Sequence, residues 1–147
     1  MKILAVASAG GHWIQLLRLR PAFDGAKLVY LTTQQPTLDA VGASPCHTVI
    51  DANFNRKFKL GLMSFQVLLV LLRERPDIVI STGAAPGFVA VVLGKLMGAR
   101  TIWVDSIANA EELSLAGRKV ARWADHWLTQ WPELARTSGP IHLGAVL

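Results

Sequence analysis

Two glycines and a histidine, Gly10-Gly11-His12, close an apolar run that begins at Ile3. Glycine lets a ligand approach the backbone. A helix starting behind the pair offers unpaired N–H groups and a partial positive charge to an anion, and an imidazole moves a proton near neutral pH. Anion binding beside an acid/base group is the chemistry this triplet can do; a glycine turn with His12 as a helix cap is the plainer alternative. Ser81-Thr82-Gly83-Ala84-Ala85-Pro86-Gly87 closes another apolar run. Pro86 suits the opening of a helix, and N–H groups near Gly87 make a second anion or hydroxyl site, against ordinary turn chemistry. Asp105-Ser106-Ile107-Ala108-Asn109 closes a third. Its carboxylate either accepts hydrogen bonds from hydroxyls and orients a base or caps the next turn, and Ser106 and Asn109 add polarity.

The elements that must position these residues follow from hydrophobic pattern. Strands are predicted at 2–8, 27–32, 47–50, 77–82 and 101–105, with weaker ones at 126–129 and 141–143. Helices are predicted at 12–20, 36–42, 59–75, 86–98 and 115–124. This alternation predicts one α/β domain over 1–147, an open parallel sheet with helices on both faces. Ligands of such sheets bind beyond the carboxyl ends of the strands, where the three polar segments converge. No G-x-G-x-x-G follows the first strand, and no G-x-x-x-x-G-K-[ST] or G-x-S-x-G occurs. Dinucleotide, P-loop and hydrolase readings lose their main support. A non-catalytic nucleotide- or phosphate-binding module still accounts for the glycines.

Composition narrows the partners. The 147 residues are 52% hydrophobic, with 15 Lys+Arg against 10 Asp+Glu and a net charge of +5; mean hydropathy is +0.37 and the pI about 9.9. That balance suits anionic membranes, phosphates or nucleic acid, or simply solvated charges. Few aromatics are interleaved with the charges and no nucleic-acid motif is visible, so nucleic acid is not expected. Cys46 is the single cysteine, which excludes an internal disulfide and fits the cytosol. His47, His126 and His142 are isolated, so no metal is expected. Trp123, Trp127 and Trp131 recur every four residues, across a predicted break, and read as core.

The first apolar run, with one flanking cation and a break at Gly10, is a strand rather than a signal peptide. The longest, Leu60 to Leu72, is interrupted by Ser64 and Gln66 and falls short of the roughly 20 residues that span a bilayer. Phe54, Arg56, Lys57, Phe58 and Lys59 precede it, and Arg73 and Arg75 follow. A nearly all-apolar helix in a basic collar is either a membrane-surface element, with Phe54 to Lys59 at the headgroups, or a helix buried between the sheet and a partner.

Gly10-Gly11-His12, Ser81-Thr82-Gly83 with Pro86-Gly87, and a carboxylate after the fifth strand resemble the Rossmann-like N-terminal half of GT-B glycosyltransferases, of which the MurG-like enzymes are one branch. Leu113 to Lys119, Ala124-Asp125 and Gln130-Trp131-Pro132-Glu133-Leu134 are similar to a stretch of a narrower group. That group is the membrane-recruiting subunit of the two-component GlcNAc transferase of the dolichol pathway, with its bacterial PssD-like relatives of exopolysaccharide and capsule synthesis. The family often has glutamate where this chain has Asp105. The resemblance implies inverting transfer from a UDP-sugar, without a cofactor, to a polyprenyl-diphosphate-linked sugar. His12 would be the general base, and Gly10 and Gly11 would seat the acceptor diphosphate. Thr82, Gly83 and Gly87 would line the cleft, with Ser106 and Asn109 on the substrate side, and Asp105 would orient acceptor hydroxyls or His12. It also implies a donor-binding, PssE-like partner subunit, little activity of this chain alone, and a peripheral place on the cytoplasmic membrane face. The chain opens at its first strand without an anchor and ends about where a second GT-B domain would begin, so the other half is expected either on a separate polypeptide or cut away from this one.

Overall fold

A computed structural model describes residues 1–146. The strands are β1 (Lys2–Ala7), β2 (Lys27–Thr32), β3 (Cys46–Thr48), β4 (Ile78–Gly83), β5 (Arg100–Val104), β6 (His126–Thr129) and β7 (Ile141–His142). The helices are α1 (Gly11–Arg18), α2 (Leu38–Val41), α3 (Lys57–Glu74), α4 (Ala84–Leu96) and α5 (Leu115–Lys119). The described strands form one sheet in the order β3-β2-β1-β4-β5-β6-β7, parallel at every pairing. The predicted α/β architecture is the observed one.

Both faces of the sheet are covered, which is why its strands read as unbroken apolar runs rather than alternations. Leu4 and Val6 of β1 point into a cluster with Met63, Val67 and Leu71 of α3 and Ala90 of α4. Ile3, Ala5 and Ala7 point the other way, toward Leu16 of α1 and Phe23. Each large buried aliphatic contributes roughly 1.5–3 kcal/mol. Helix α4 lies tight on the sheet through glycine: a Cβ at Gly94 would sit 2.7 Å from Val79 Cγ2, and one at Gly87 only 1.9 Å from Ser81 Oγ.

Several helix ends differ from expectation. Helix α1 stops at Arg18 and a 3₁₀ turn, Arg20–Phe23, takes over around Pro21, which has no N–H to continue an α-helix. Gly42 at φ 61° ends α2 after one turn. Helix α5 passes into a 3₁₀ turn at Val120–Arg122. Helix α4 begins at Ala84, so Pro86 lies inside its first turn, where a missing donor is tolerated.

Strand order reverses about β1, which lies between β2 and β4; such a switch point opens a crevice at the carboxyl edge. Here it has an added irregularity. The β1–β4 register shifts between Val6, opposite Ser81, and Ala7, opposite Gly83. Thr82 is left out of the pairing.

Candidate functional site

The unpaired Thr82 holds His12. The His12 Nδ1 lies 3.0 Å from the Thr82 carbonyl oxygen, and Thr82 Oγ1 donates to the His12 carbonyl at 2.6 Å. A carbonyl only accepts, so Nδ1 carries a proton, and in the neutral ring Nε2 is the nitrogen with the free lone pair. That is the tautomer a general base needs. Gly83, at φ 144°, makes room for the ring: a Cβ there would sit 2.3 Å from Nδ1. The turn before His12 is tied down by Ala9 N–H donating to Thr33 Oγ1 at 3.0 Å.

The His12 ring borders a cavity of about 430 Å³. Its walls are Ser8 and Ala9 after β1, Thr33 after β2, residues 51–54 after β3, Ala84 and Ala85 opening α4, and residues 114–116. His12 and Asp51 are the ionisable side chains on it. Ala84 adopts φ 67°, a left-handed conformation costing an L-residue about 1–2 kcal/mol, so the wall beside His12 is held under strain. Two larger cavities, of about 610 and 530 Å³, open at the amino ends of the strands and contain no histidine. The smaller cavity has the chemistry. Among the described residues no three His, Cys, Asp or Glu side chains converge as metal ligands.

The remaining expected site residues do other work. Asp105 is 1% exposed. Its Oδ1 accepts from Trp103 Nε1 at 3.0 Å and Ser114 Oγ at 2.6 Å, and its Oδ2 from Ser114 N–H at 2.9 Å and Asn109 Nδ2 at 3.2 Å. The role expected for Asp105, orienting acceptor hydroxyls or His12, is therefore corrected. Its carboxylate is spent on the chain and pins the 106–114 loop and the start of α5. Ser114 completes the device: its Oγ caps α5 by accepting from Gly117 N–H at 2.9 Å, and a Cβ at Gly117 would sit 2.3 Å from Asp105 Oδ1. Ser106 is buried as well; its Oγ accepts from Gln15 Nε2 at 3.0 Å and Ala108 N–H at 3.2 Å. Asn109 is half-buried and faces Asp105. Thr82, Gly83 and Gly87 are buried and lie outside the cavity wall, so they support the cleft instead of lining it. Gly10 and Gly11 are exposed with open space where a Cβ would project.

Sequence reasoning missed Asp51, Asn53, Thr33, Ser114 and Gln15. The S-x-x-G spacing of Ser114 and Gly117 was a readable cap signal. Gln15 and Gln130 form a buried polar link under the site: Gln130 Nε2 donates to Gln15 Oε1 at 2.6 Å and to the Asp105 carbonyl at 2.9 Å. Trp131 adds a bond from Nε1 to the Ile107 carbonyl at 2.7 Å. Trp123 and Trp127 pack against the α3–α4 core, as expected.

Helix α3 buries Met63, Val67 and Leu71 and leaves a second apolar stripe outside. Phe58, Leu62, Phe65, Leu69 and Leu72 are exposed, Phe58 by 87%, and their 4-3-4-3 spacing sets them along one helical face. Phe54 is not among them. It packs edge-on against Phe88 at 5.5 Å, lies under Lys119 Nζ at 5.0 Å and borders the His12 cavity, which corrects its assignment to the membrane. No helix of the described residues is long and apolar enough to cross a membrane. Away from the site, hydrogen bonding from His47 foremost, with Lys2, holds the Glu74 carboxyl below its ordinary value. Lys95 does the same for Asp125, and burial raises the Cys46 thiol to about 11.

Known proteins are similar to this chain in sequence and in fold. The UDP-N-acetylglucosamine transferase subunit ALG14 of Yarrowia lipolytica is 26% identical, over 91% of this chain and 75% of its own length. The mouse subunit of that name is 29% identical over 100% of this chain and 83% of its own. Among solved structures, Acinetobacter baumannii MurG superposes with a TM-score of 0.77 at 15% identity, covering 96% of this chain, which spans 45% of that one; the likeness gives the fold, an N-terminal GT-B-type half. The family described as "Oligosaccharide biosynthesis protein Alg14 like" matches residues 40–145. That match takes in α3, β4 and the Asp105–Ser114 loop and starts after β1, β2 and His12, and the chain belongs to the Alg14-like family.

Proposed function

We propose that this chain is the acceptor-side subunit of a two-component, inverting GT-B glycosyltransferase. It would move a sugar, GlcNAc by analogy with the named relatives, from a UDP-sugar to a polyprenyl-diphosphate-linked acceptor. The observation that carries the reading is His12: Nδ1 is committed to the Thr82 carbonyl, and the ring borders a cavity at the switch point. In the reaction the acceptor hydroxyl enters the cavity and His12 Nε2 takes its proton. The hydroxyl oxygen attacks the anomeric carbon from the face opposite UDP, which departs with the bonding electron pair. General-base help of this kind is worth about 10²–10⁴-fold. Gly10 and Gly11 leave the backbone before His12 open to the acceptor. Asp105, Ser106 and Asn109 act as positioning residues, holding the 106–114 loop so that Ser114 forms part of the cavity wall. The donor nucleotide belongs to a partner subunit closing over the carboxyl edge of the sheet.

The outer stripe of α3 with its flanking cations supports docking on an anionic membrane face, where apolar side chains enter the headgroup boundary and lysine and arginine meet phosphate. Transfer is tested with a UDP-sugar and a synthetic polyprenyl-diphosphate acceptor, with the chain alone and with a donor-binding subunit. Turnover with both, falling at least a hundredfold in His12→Ala, is expected. Turnover by the chain alone removes the half-enzyme reading, and a near-normal rate in His12→Ala removes the base.

A further inference from the structure

A second, smaller cavity of about 250 Å³ adjoins the His12 cavity. It is lined by Asp51, Ala52, Asn53, Arg56 and Lys59, and residues 51–53 belong to both. Nearby, Lys119 lies over Phe54 and Arg118 pairs with Glu112 at 3.2 Å, whereas neither Arg56 nor Lys59 makes a side-chain ion pair among the described residues. The helix sorts its own charges. Lys59 continues the face of Met63, Val67 and Leu71, and Arg56, just before the helix, lines the same cavity, while Phe58 opens the outward stripe.

We infer that Arg56 and Lys59 form the seat for the acceptor's diphosphate, so that the basic cluster at the start of α3 serves two ligands and not one. This rests on the transferase reading above. The acceptor is a sugar joined to a diphosphate joined to an apolar tail, and the molecule shows the matching order: an acid/base cavity, an anion cavity sharing its wall, then the apolar stripe starting at Phe58. Charge-assisted contacts from guanidinium and ammonium groups suit a dianion. Asp51, on the common wall, is assigned to sugar hydroxyls, which donate to a carboxylate as phosphate oxygens cannot. The seat therefore lies at the entry to α3 rather than on the Gly10–Gly11 turn. Lys57 and Phe58 are left for the membrane.

The test measures binding to the full chain by calorimetric titration with inorganic pyrophosphate and with a short-chain, water-soluble polyprenyl-diphosphate sugar. Co-sedimentation with phosphatidylglycerol vesicles is measured in parallel. The paired variant Arg56→Ala/Lys59→Ala should weaken both soluble ligands at least about tenfold and keep vesicle binding. Lys57→Ala/Phe58→Ala should do the reverse, and Arg56→Lys should retain most of the affinity. All four side chains are exposed, and circular dichroism checks that the variants are folded. Unchanged affinity for both soluble ligands in Arg56→Ala/Lys59→Ala overturns the seat and leaves the transferase reading standing. Loss of vesicle and soluble binding in step overturns it too, because lipid headgroups would then be the ligand. Wild-type protein that binds neither soluble ligand overturns the seat, and the transfer assay above decides the transferase reading separately.

Discussion

Adding one methyl group beside His12 should disable it without touching the imidazole. In Gly83→Ala the new Cβ would stand 2.3 Å from Nδ1 and 2.5 Å from Cε1, so ring and methyl must separate by about 1 Å to reach ordinary contact at 3.4 Å. The ring can yield only by leaving the Thr82 carbonyl, 3.0 Å away, forfeiting about 0.5–1.5 kcal/mol and the lock on the tautomer. A misplacement near 1 Å costs on the order of 10² in rate. Expected, then, is a kcat about a hundredfold lower in the reconstituted transfer assay, with a stability loss of about 1–3 kcal/mol from overpacking. The loss must run through His12, so the decisive measurement is the double variant. In a His12→Ala background the extra methyl group meets no ring and should change kcat by less than about twofold. A Gly83→Ala enzyme that turns over at the wild-type rate, or one whose hundredfold loss persists without His12, refutes the reasoning; equal loss in both backgrounds would mean the methyl acts through the backbone of β4.

Asp105→Asn keeps the shape but turns an amide toward the N–H groups of Trp103 and Ser114, which only donate; with about two charge-assisted bonds lost, unfolding should be easier by about 3 kcal/mol, a Tm lower by roughly 6–12 °C. A Tm within 2 °C of wild type would show that the carboxylate does not hold the loop. Glu74, whose folded pKa is depressed chiefly by His47, contributes stability that is present above its ordinary value of 4.5 and is lost as pH falls through the lower folded value. Glu74→Gln should flatten that acid limb in denaturant melts between pH 5 and about pH 3, and an unchanged slope would contradict the pairing. Cys46, raised to about 11 by burial, should resist alkylation at pH 8 in the native protein and react once unfolded; rapid native labelling would place the thiol elsewhere.

Strands were legible because both faces of this sheet are apolar, so Ile3 to Ala7 and Val79 with Ile80 announce themselves without any partner being known. His12 was legible as a candidate, since a histidine after two glycines at a strand end has few other uses. What holds it was not. Thr82 and Gly83 looked like cleft residues because their closeness to the His12 ring depends on a register shift that no local pattern encodes. Asp105 misled for a related reason: a carboxylate at a strand end looks outward or inward according to groups two and nine residues away, Trp103 and Ser114, and spacing alone does not say which. Asp51 and Asn53 escaped notice because they sit in an irregular segment whose place beside β1 is set by tertiary packing. The apolar helix was half legible. Its hydrophobicity predicted two contacts, and burial of Met63, Val67 and Leu71 accounts for one.

Helix α3 has 18 residues, about 27 Å at 1.5 Å per residue, and it joins two parallel strands, so it returns alongside the sheet, against the strand direction. A bilayer meeting its outer stripe therefore lies along the strands instead of across their ends. The carboxyl edge, with the His12 cavity, then opens sideways, level with the headgroups. On the proposed function, a substrate whose tail stays in the lipid would reach that opening by drifting in the plane of the membrane, and the elongated product would depart by the same lateral route. Collisions would then be confined to two dimensions, and no apolar tail would have to be lifted into water for the sugar to meet His12.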